Sequence, residues 1–596
     1  MRYLYLIFLF FAALSLSAQT INYSISFDNA IHHEAVVTVN FPDIDQDTLS
    51  VRMSRTSPGR YALHEFAKNV YAFKAKDAQG NILKIHRPNP YEWQITGHNG
   101  NVIIEYILFA DRGDGTYSQI DESHAHLNIP ATFIYAPSLS DRPIEVDFVN
   151  REDLEWKIAT QLVKVKNNTY SAPNLYYFMD SPTELSNHKV REFNIDDQTV
   201  KLALHDPGTE EEADKYFEKV KKVVIAEKEV FGELPQFDYS TYTFLACYIP
   251  NASGDGMEHR NSTILTSSRT LANGGMDGNI GTVSHEFFHS WNVERIRPKS
   301  LEPFNFEEAN MSGALWFAEG FTSYYTNLIL CRAVLISPEK YIEGLTGTFN
   351  YVWNSPALQF FNPIEMSYQA PFVDAATSVD PVNRENTFIS YYSYGSVLGL
   401  ALDLSLREQK LNLDDFMKLV WSQYGKTEIP YTLENLHQTL NSYAGEEFGN
   451  QFFNNYIYKS GMPKYKQLLE SVGVFISQDS NTVYFGAAVS ISNEQNGIIK
   501  SNPTIGSPAY TAGLDKGDLI THINGRPLQE DIAFNALLKQ FRPTDKLSID
   551  FIRDGNKKNT VLTLEPDPHY SIQLMEKTED LPSKQMLKAR NTWLKL

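Results

Sequence analysis

The residues with the clearest capacity for chemistry are Val283-Ser284-His285-Glu286-Phe287-Phe288-His289. On a helix, His285 and His289 are four apart and project from one face, so both imidazoles can reach one metal. Glu286 stands about 100° around the axis from His285. From there it can approach water on that metal without being a ligand. With 15 histidines in the chain, chance yields roughly 0.02 such matches, so the spacing carries information. A catalytic zinc needs a third protein ligand and an open fourth position. Glu319, inside the apolar helical run Ala314–Tyr325, offers that ligand. An unpaired carboxylate there would be costly, and coordination removes the cost. The plainer alternative is a salt bridge to Arg295 or Arg297. Two histidines and one glutamate suit Zn2+, one ion per chain, and neither an iron–sulfur nor a copper site.

Other polar groups carry weaker signals. His124 and His126 alternate as on a strand, and polar residues of a β domain are preferred there over a second metal. Cys247 lies in a strand-like apolar run and Cys331 ends a helical one; both read as small buried residues without a role. Two cysteines support neither a Cys-based zinc site nor a disulfide framework. Ala272-Asn273-Gly274-Gly275 lacks the Lys-Ser/Thr ending of a phosphate-binding loop.

These groups need a scaffold, and the chain's patterning supplies one. From Ile21 to about Leu162, short alternating runs such as AVVTVNF and NVIIEYILF predict an antiparallel β domain. Residues 209–231 place acidic residues early and lysines late, which predicts an amphipathic helix. The strand-like YSTYTFLACYI follows, then a glycine-rich stretch and a largely helical region to about 465, broken at Gly and Pro. Short strands return from about 475 to 566, and the last thirty residues read as one docked helix. The boundaries are set at 1–18, 19–165, 166–474, 475–566 and 567–596.

Composition agrees with folded domains: 596 residues, 42% hydrophobic and 21% charged, excluding collagen, coiled coil and wholesale disorder. A net charge of −20 argues against nucleic acid as a partner. Arg2, an apolar run from Leu4 to Leu16 and small residues through Ala18 predict a cleaved signal peptide. The expected location is therefore periplasmic or secreted, with no transmembrane segment in the mature chain.

At this point the sequence resembles a known group. His-Glu-x-x-His followed by Phe-Ala-Glu-Gly-Phe is similar to the gluzincin metallopeptidases. HEFFHSWNVERIRP (285–298) resembles the glycyl aminopeptidase family, whose members carry a C-terminal PDZ domain. SPGRYALHEFAKNV (57–70) resembles that family's N-terminal β-domain signature, and GDGMEHRNST (254–263) its substrate-recognition strand. AGLDKGDLITHING (512–525) is similar to the PDZ fold, with Tyr484-Phe485-Gly486 as the candidate carboxylate-binding loop.

The resemblance implies a multidomain α+β protein: an N-terminal β domain, a thermolysin-like, mainly helical catalytic domain, a PDZ domain and a helical tail. It also implies roles. His285, His289 and Glu319 would bind zinc. Glu286 would be general base for the zinc-bound water and then proton donor to the leaving amine. Tyr392 falls on the tyrosine that donates to the tetrahedral oxyanion. The family commonly has lysine two residues later, where this chain has Tyr394, so Tyr391 and Tyr394 stay open as rivals. Gly256, Met257 and Glu258 would bind substrate: glycines let a backbone edge approach a ligand, and the Glu258 carboxylate can hold a peptide's α-ammonium. The plainer reading of Glu258 is a surface-loop residue.

The expected activity is removal of small N-terminal residues, Gly or Ala, from peptides with a free N-terminus, with a peptide ligand possible at the PDZ domain. A zinc endopeptidase and a PDZ binding protein with a vestigial site are the rivals. The intact His285, Glu286, His289 and Glu319 speak against the latter.

Overall fold

The computed structural model describes residues 19–373, 382–491, 496–528 and 533–596; the expected signal peptide at 1–18 lies outside the described residues. The chain divides into two units, one of 1–57 and 65–188, the other of 58–64 and 189–596. No helix among the described residues is long and apolar enough to cross a membrane.

The first unit is β-rich. Its largest sheet runs Val163–Lys166, Thr169–Ala172, Ile144–Val149, Ile21–Ser26, Glu34–Phe41, Val102–Phe109, Val70–Lys76. Alternation does what the sequence predicts: Ala35, Val37, Val39 and Phe41 are buried while their neighbours are not. The expectation of a purely antiparallel domain needs one correction, because Ile21–Ser26 pairs in parallel with Ile144–Val149. That pairing joins strands far apart in sequence, which local periodicity does not encode. His126 on the strand His124–Leu127 is held by the buried Glu184 carboxylate (3.1 Å) and the Asp114 carbonyl (3.1 Å).

The second unit begins with a five-stranded sheet, ordered Lys189–Ile195, Gln198–His205, Thr241–Tyr248, Ser262–Ser267, Asp255–His259. The three inner strands are parallel and the outer two antiparallel to their neighbours. The helix Glu210–Phe231 makes the crossover between the second and third strands. It starts at a capping box, with Thr209 and Glu212 bonding each other's backbone N–H, and stops at Gly232 with φ 87°. The last strand in the order, Asp255–His259, is an edge.

Helices follow. Ile280–Phe288 packs on Gly320–Arg332, which in turn packs on Tyr391–Glu408. The last two helices touch through glycines. A Cβ on Gly395 would fall 1.9 Å from the Trp316 carbonyl oxygen, and one on Gly320 would fall 2.3 Å from Gly395 Cα. Backbone cannot yield there as a flexible side chain can. Gly395→Ala is expected to cost at least about 1–3 kcal/mol as overpacking, read as a lowered unfolding midpoint. Gly347→Ala, in the helix Pro338–Trp353 where nothing lies within 4 Å of the added carbon, is the control. Its expected effect is neutral to a gain of about 0.5–1 kcal/mol.

The C-terminal module has a sheet ordered Val489–Ile491, Gly497–Ile499, Leu519–Ile523, Lys546–Arg553, Asn556–Thr563, with the helix Phe534–Leu538 beside it. Asn524-Gly525 takes φ 52° and 73° at the tight turn, as such a turn demands. Asp518 is buried and paired with Arg553 through two hydrogen bonds of 2.7 and 2.6 Å. The last thirty residues hold more than the expected helix. The strand Tyr570–Leu574 pairs with Val474–Gln478 before the helix Lys584–Leu594 begins. That helix buries Trp593, whose indole N–H donates to the Tyr324 hydroxyl at 2.9 Å. A cut at 475 would thus strip a strand and a helix from the helical body.

Candidate metal centre and active site

The helix Ile280–Phe288 presents His285 and, at its C-terminal cap, His289 toward one point. Local bonds settle how each ring faces. His289 Nδ1 lies 2.5 Å from the Asn292 carbonyl oxygen, which can only accept. His285 Nδ1 meets Thr326 Oγ1 at 3.1 Å, and that hydroxyl already donates to the Thr322 carbonyl at 2.9 Å. Both Nδ1 atoms therefore carry the proton, and both Nε2 lone pairs face the centre.

Glu319 closes the set from the junction of the short helix Leu315–Ala318 with Gly320–Arg332. Its Oε2 lies 3.2 Å from His289 Nε2 and 3.6 Å from His285 Nε2. This oxygen is buried and has no hydrogen-bond partner. Donors about 2.0–2.1 Å from a tetrahedral zinc stand roughly 3.4 Å apart, so the spacing fits a metal better than it fits direct bonding. The salt-bridge alternative fails. Arg295 bonds the Arg260, Ser290 and Gln236 carbonyls, and Arg297 pairs with Glu302 at 2.7 Å.

The edge strand Asp255–His259 brings the substrate-side residues. Glu258 is buried, not a surface-loop residue, and its carboxylate comes within 4.8 Å of ligand atoms of Glu286 and His289. Met257 is buried beside it. Gly256 is needed for a specific approach: a Cβ there would fall 2.1 Å from Glu286 Oε1. Gly254 has no such role, since nothing lies within 4 Å of its added carbon.

Tyr392 places its ring 5.8 Å from that of His285, stacked at 4.8 Å on Tyr391. Tyr394 is fully buried in the main core instead. A cavity of about 710 Å³ opens beside His285 and Tyr392, with walls from Asn327, Tyr341, Phe349 and Leu400.

Electrostatics set three carboxylates around His289. Burial pushes Glu286 well above the usual carboxylate range and raises Glu258 as well. Burial opposes ionisation of Glu319 too, yet His289 and His285 hold it low. For His289, burial is overcome by the Glu319 and Glu258 carboxylates, which raise it. Such a cluster calls for a cation.

Sequence reasoning missed several supporting residues. Asn292 donates through its amide to the Phe317 and Ala318 carbonyls at 3.1 and 2.9 Å, tying the turn after His289 to the turn before Glu319. Tyr61 donates to Glu319 Oε1 at 2.7 Å. Glu227 is fully buried on the helix Glu210–Phe231 and accepts from Ser284 Oγ at 3.1 Å. Only Glu227 left a readable sign, since it falls on that helix's apolar stripe.

Comparisons agree with this architecture. The Peptidase M61 N-terminal domain matches residues 22–187, the M61 glycyl aminopeptidase domain 278–398 and the PDZ domain 486–564. No curated sequence matches the chain. A solved aminopeptidase N family protein from Idiomarina loihiensis is 24% identical, covering 96% of this chain and 100% of its own, with TM-score 0.84. An M1 zinc metallopeptidase from Deinococcus radiodurans is 11% identical over 75% of this chain and 95% of its own, with TM-score 0.42. With both M61 domains in order and a PDZ domain behind them, the chain is a metallopeptidase of the M61 glycyl aminopeptidase family.

Proposed function

We propose that the protein is an exported zinc aminopeptidase that removes small N-terminal residues, glycine or alanine, from peptides. His285 Nε2, His289 Nε2 and Glu319 Oε2 hold one Zn2+ per chain. A bound zinc would supply a Lewis acid and lower the pKa of water to about 7. The second carboxylate cluster, Glu258 with Glu286, shares His289 with the first, which leaves those two carboxylates for substrate and proton transfer. The leader-like residues 2–18 support export.

Glu286 accepts the proton of the attacking water and delivers it to the leaving amine. Tyr392 donates to the oxyanion that forms on the former carbonyl. Glu258 takes the α-ammonium of the peptide, fixing the scissile bond one residue in. The edge strand Asp255–His259 offers its backbone for the peptide to pair alongside. The cavity beside Tyr392 gives room to the leaving portion, and the PDZ module offers the edge of Val489–Ile491 to an extended peptide.

The observation that carries the exopeptidase reading is the burial of Glu258 against Glu286 and His289. A cationic N-terminus there makes a charge-assisted pair, and acetylation leaves the carboxylate facing an amide. Losing one partner of such a buried pair costs on the order of 3–5 kcal/mol, a few hundredfold or more in rate. N-acetylated glycyl and alanyl substrates should be cut slower by that factor, and Glu258→Ala should lose activity on free substrates together with most of the discrimination. Equal cleavage of blocked and free peptides by the wild type would favour an endopeptidase.

A further inference from the structure

Residues Pro58–His64 belong to the second unit, although the chain on either side of them belongs to the first. Three consecutive residues of this strap touch the candidate active site. Gly59, at φ 77°, lies so close to the edge strand that a Cβ would fall 2.2 Å from Met257 Sδ and 3.0 Å from Glu258 Oε2. Arg60 is ion-paired with Asp255, the first residue of that strand. Tyr61 is buried, its ring edge-on to Tyr391 at 6.0 Å, and its hydroxyl donates to Glu319 Oε1 at 2.7 Å.

The two oxygens of Glu319 are thereby divided. Oε1 is occupied by the phenol, while Oε2 faces His289 and His285 without a hydrogen bond. A carboxylate on a rotatable side chain can present either oxygen or both; a fixed donor on one leaves the other as the ligand. Outer hydrogen bonds of this kind fix ligand orientation, and losing one typically weakens metal binding about 10–100-fold.

We propose that Tyr61 is a positioning residue that locks Glu319 so that Oε2 alone is presented to the metal, with Gly59 and Arg60 fastening the strap to the substrate strand. This rests on the reading of Glu319 as a ligand. The strap couples the metal ligand to the strand that carries Glu258, so one segment sets the distance between metal and α-ammonium site. Tyr61 itself touches no substrate atom in this scheme.

The test is Tyr61→Phe in the full chain, which keeps the ring and removes only the hydroxyl. Zinc affinity is measured by competition with a chromophoric chelator, beside Glu319→Gln and the core variant Val223→Ala, whose side chain carries no polar group toward the site. The expected results are a roughly 10–100-fold weaker zinc dissociation constant for Tyr61→Phe, a wild-type constant for Val223→Ala, and recovery of most turnover when zinc is saturating. A wild-type zinc constant in Tyr61→Phe, with Glu319→Gln losing metal, overturns the positioning role and leaves the ligand assignment standing. If Glu319→Gln also binds zinc normally, the ligand assignment itself falls. Should the metal-free variant not fold, protein purified with zinc is stripped by chelator under native conditions. Loss at the wild-type rate then overturns the proposal, and loss at least tenfold faster supports it.

Discussion

His289→Ala is expected to remove bound metal and peptidase activity together, with turnover falling by at least about 10⁴-fold. A bound metal would supply both Lewis acidity and a strong lowering of water's pKa, to about 7, and nothing else at the centre would compensate for its loss. His289 is the most consequential of the proposed ligands, because it belongs both to the trio with His285 and Glu319 and to the cluster with Glu258 and Glu286. It is 1% exposed, and its departure opens a gap among the buried carboxylates of Glu258, Glu286 and Glu319. Metal analysis and hydrolysis of a free alanyl substrate read the two effects. Full activity in exhaustively chelated wild-type enzyme would defeat the assignment, as would a metal-free His289→Ala that still turns over.

What the sequence made legible depended on distance along the chain. His285 and His289 were readable because helical spacing alone puts them on one face, and Glu319 because an acid in Leu-Trp-Phe-Ala-Glu-Gly-Phe stands out against its neighbours. The helix Glu210–Phe231 announced itself by acidic residues early and lysines late in an amphipathic run; its capping box at Thr209 and its stop at Gly232 came only with the structure. The PDZ module was legible from the resemblance of AGLDKGDLITHING to that fold, and the structure shows why its glycines and Asn524 recur, since they take positive φ at turns. Long-range partnerships were not. The parallel pairing of Ile21–Ser26 with Ile144–Val149, and that of Tyr570–Leu574 with Val474–Gln478, arise from tertiary closure. Tyr61 lies 258 positions from the carboxylate it bonds. Only the fold brings these groups together, and only the fold separates buried Tyr394 from Tyr392 beside His285.

Glu286→Gln should retain zinc and lose catalysis by about 10³–10⁴-fold, the upper part of what a positioned general base contributes. The retention follows from geometry. The trio of His285, His289 and Glu319 is complete without Glu286, and a glutamine of the same shape meets Gly256 as the glutamate does, where a Cβ on the strand would stand 2.1 Å from Oε1. The loss follows from chemistry, because an amide can neither take the proton of the attacking water nor return it to the leaving amine. If the carboxylate acts only as the base, kcat falls while KM stays close to its wild-type value, since the proposal assigns binding to Glu258 and the edge strand. The second cluster makes the experiment decisive, for Glu258, Glu286 and His289 also bring ligand atoms within 4.8 Å of one another. Loss of zinc in Glu286→Gln would mean that the metal sits among those three residues and that Glu286 is a ligand. Retention of zinc with a collapsed kcat assigns it to proton transfer and leaves Glu258 to the substrate.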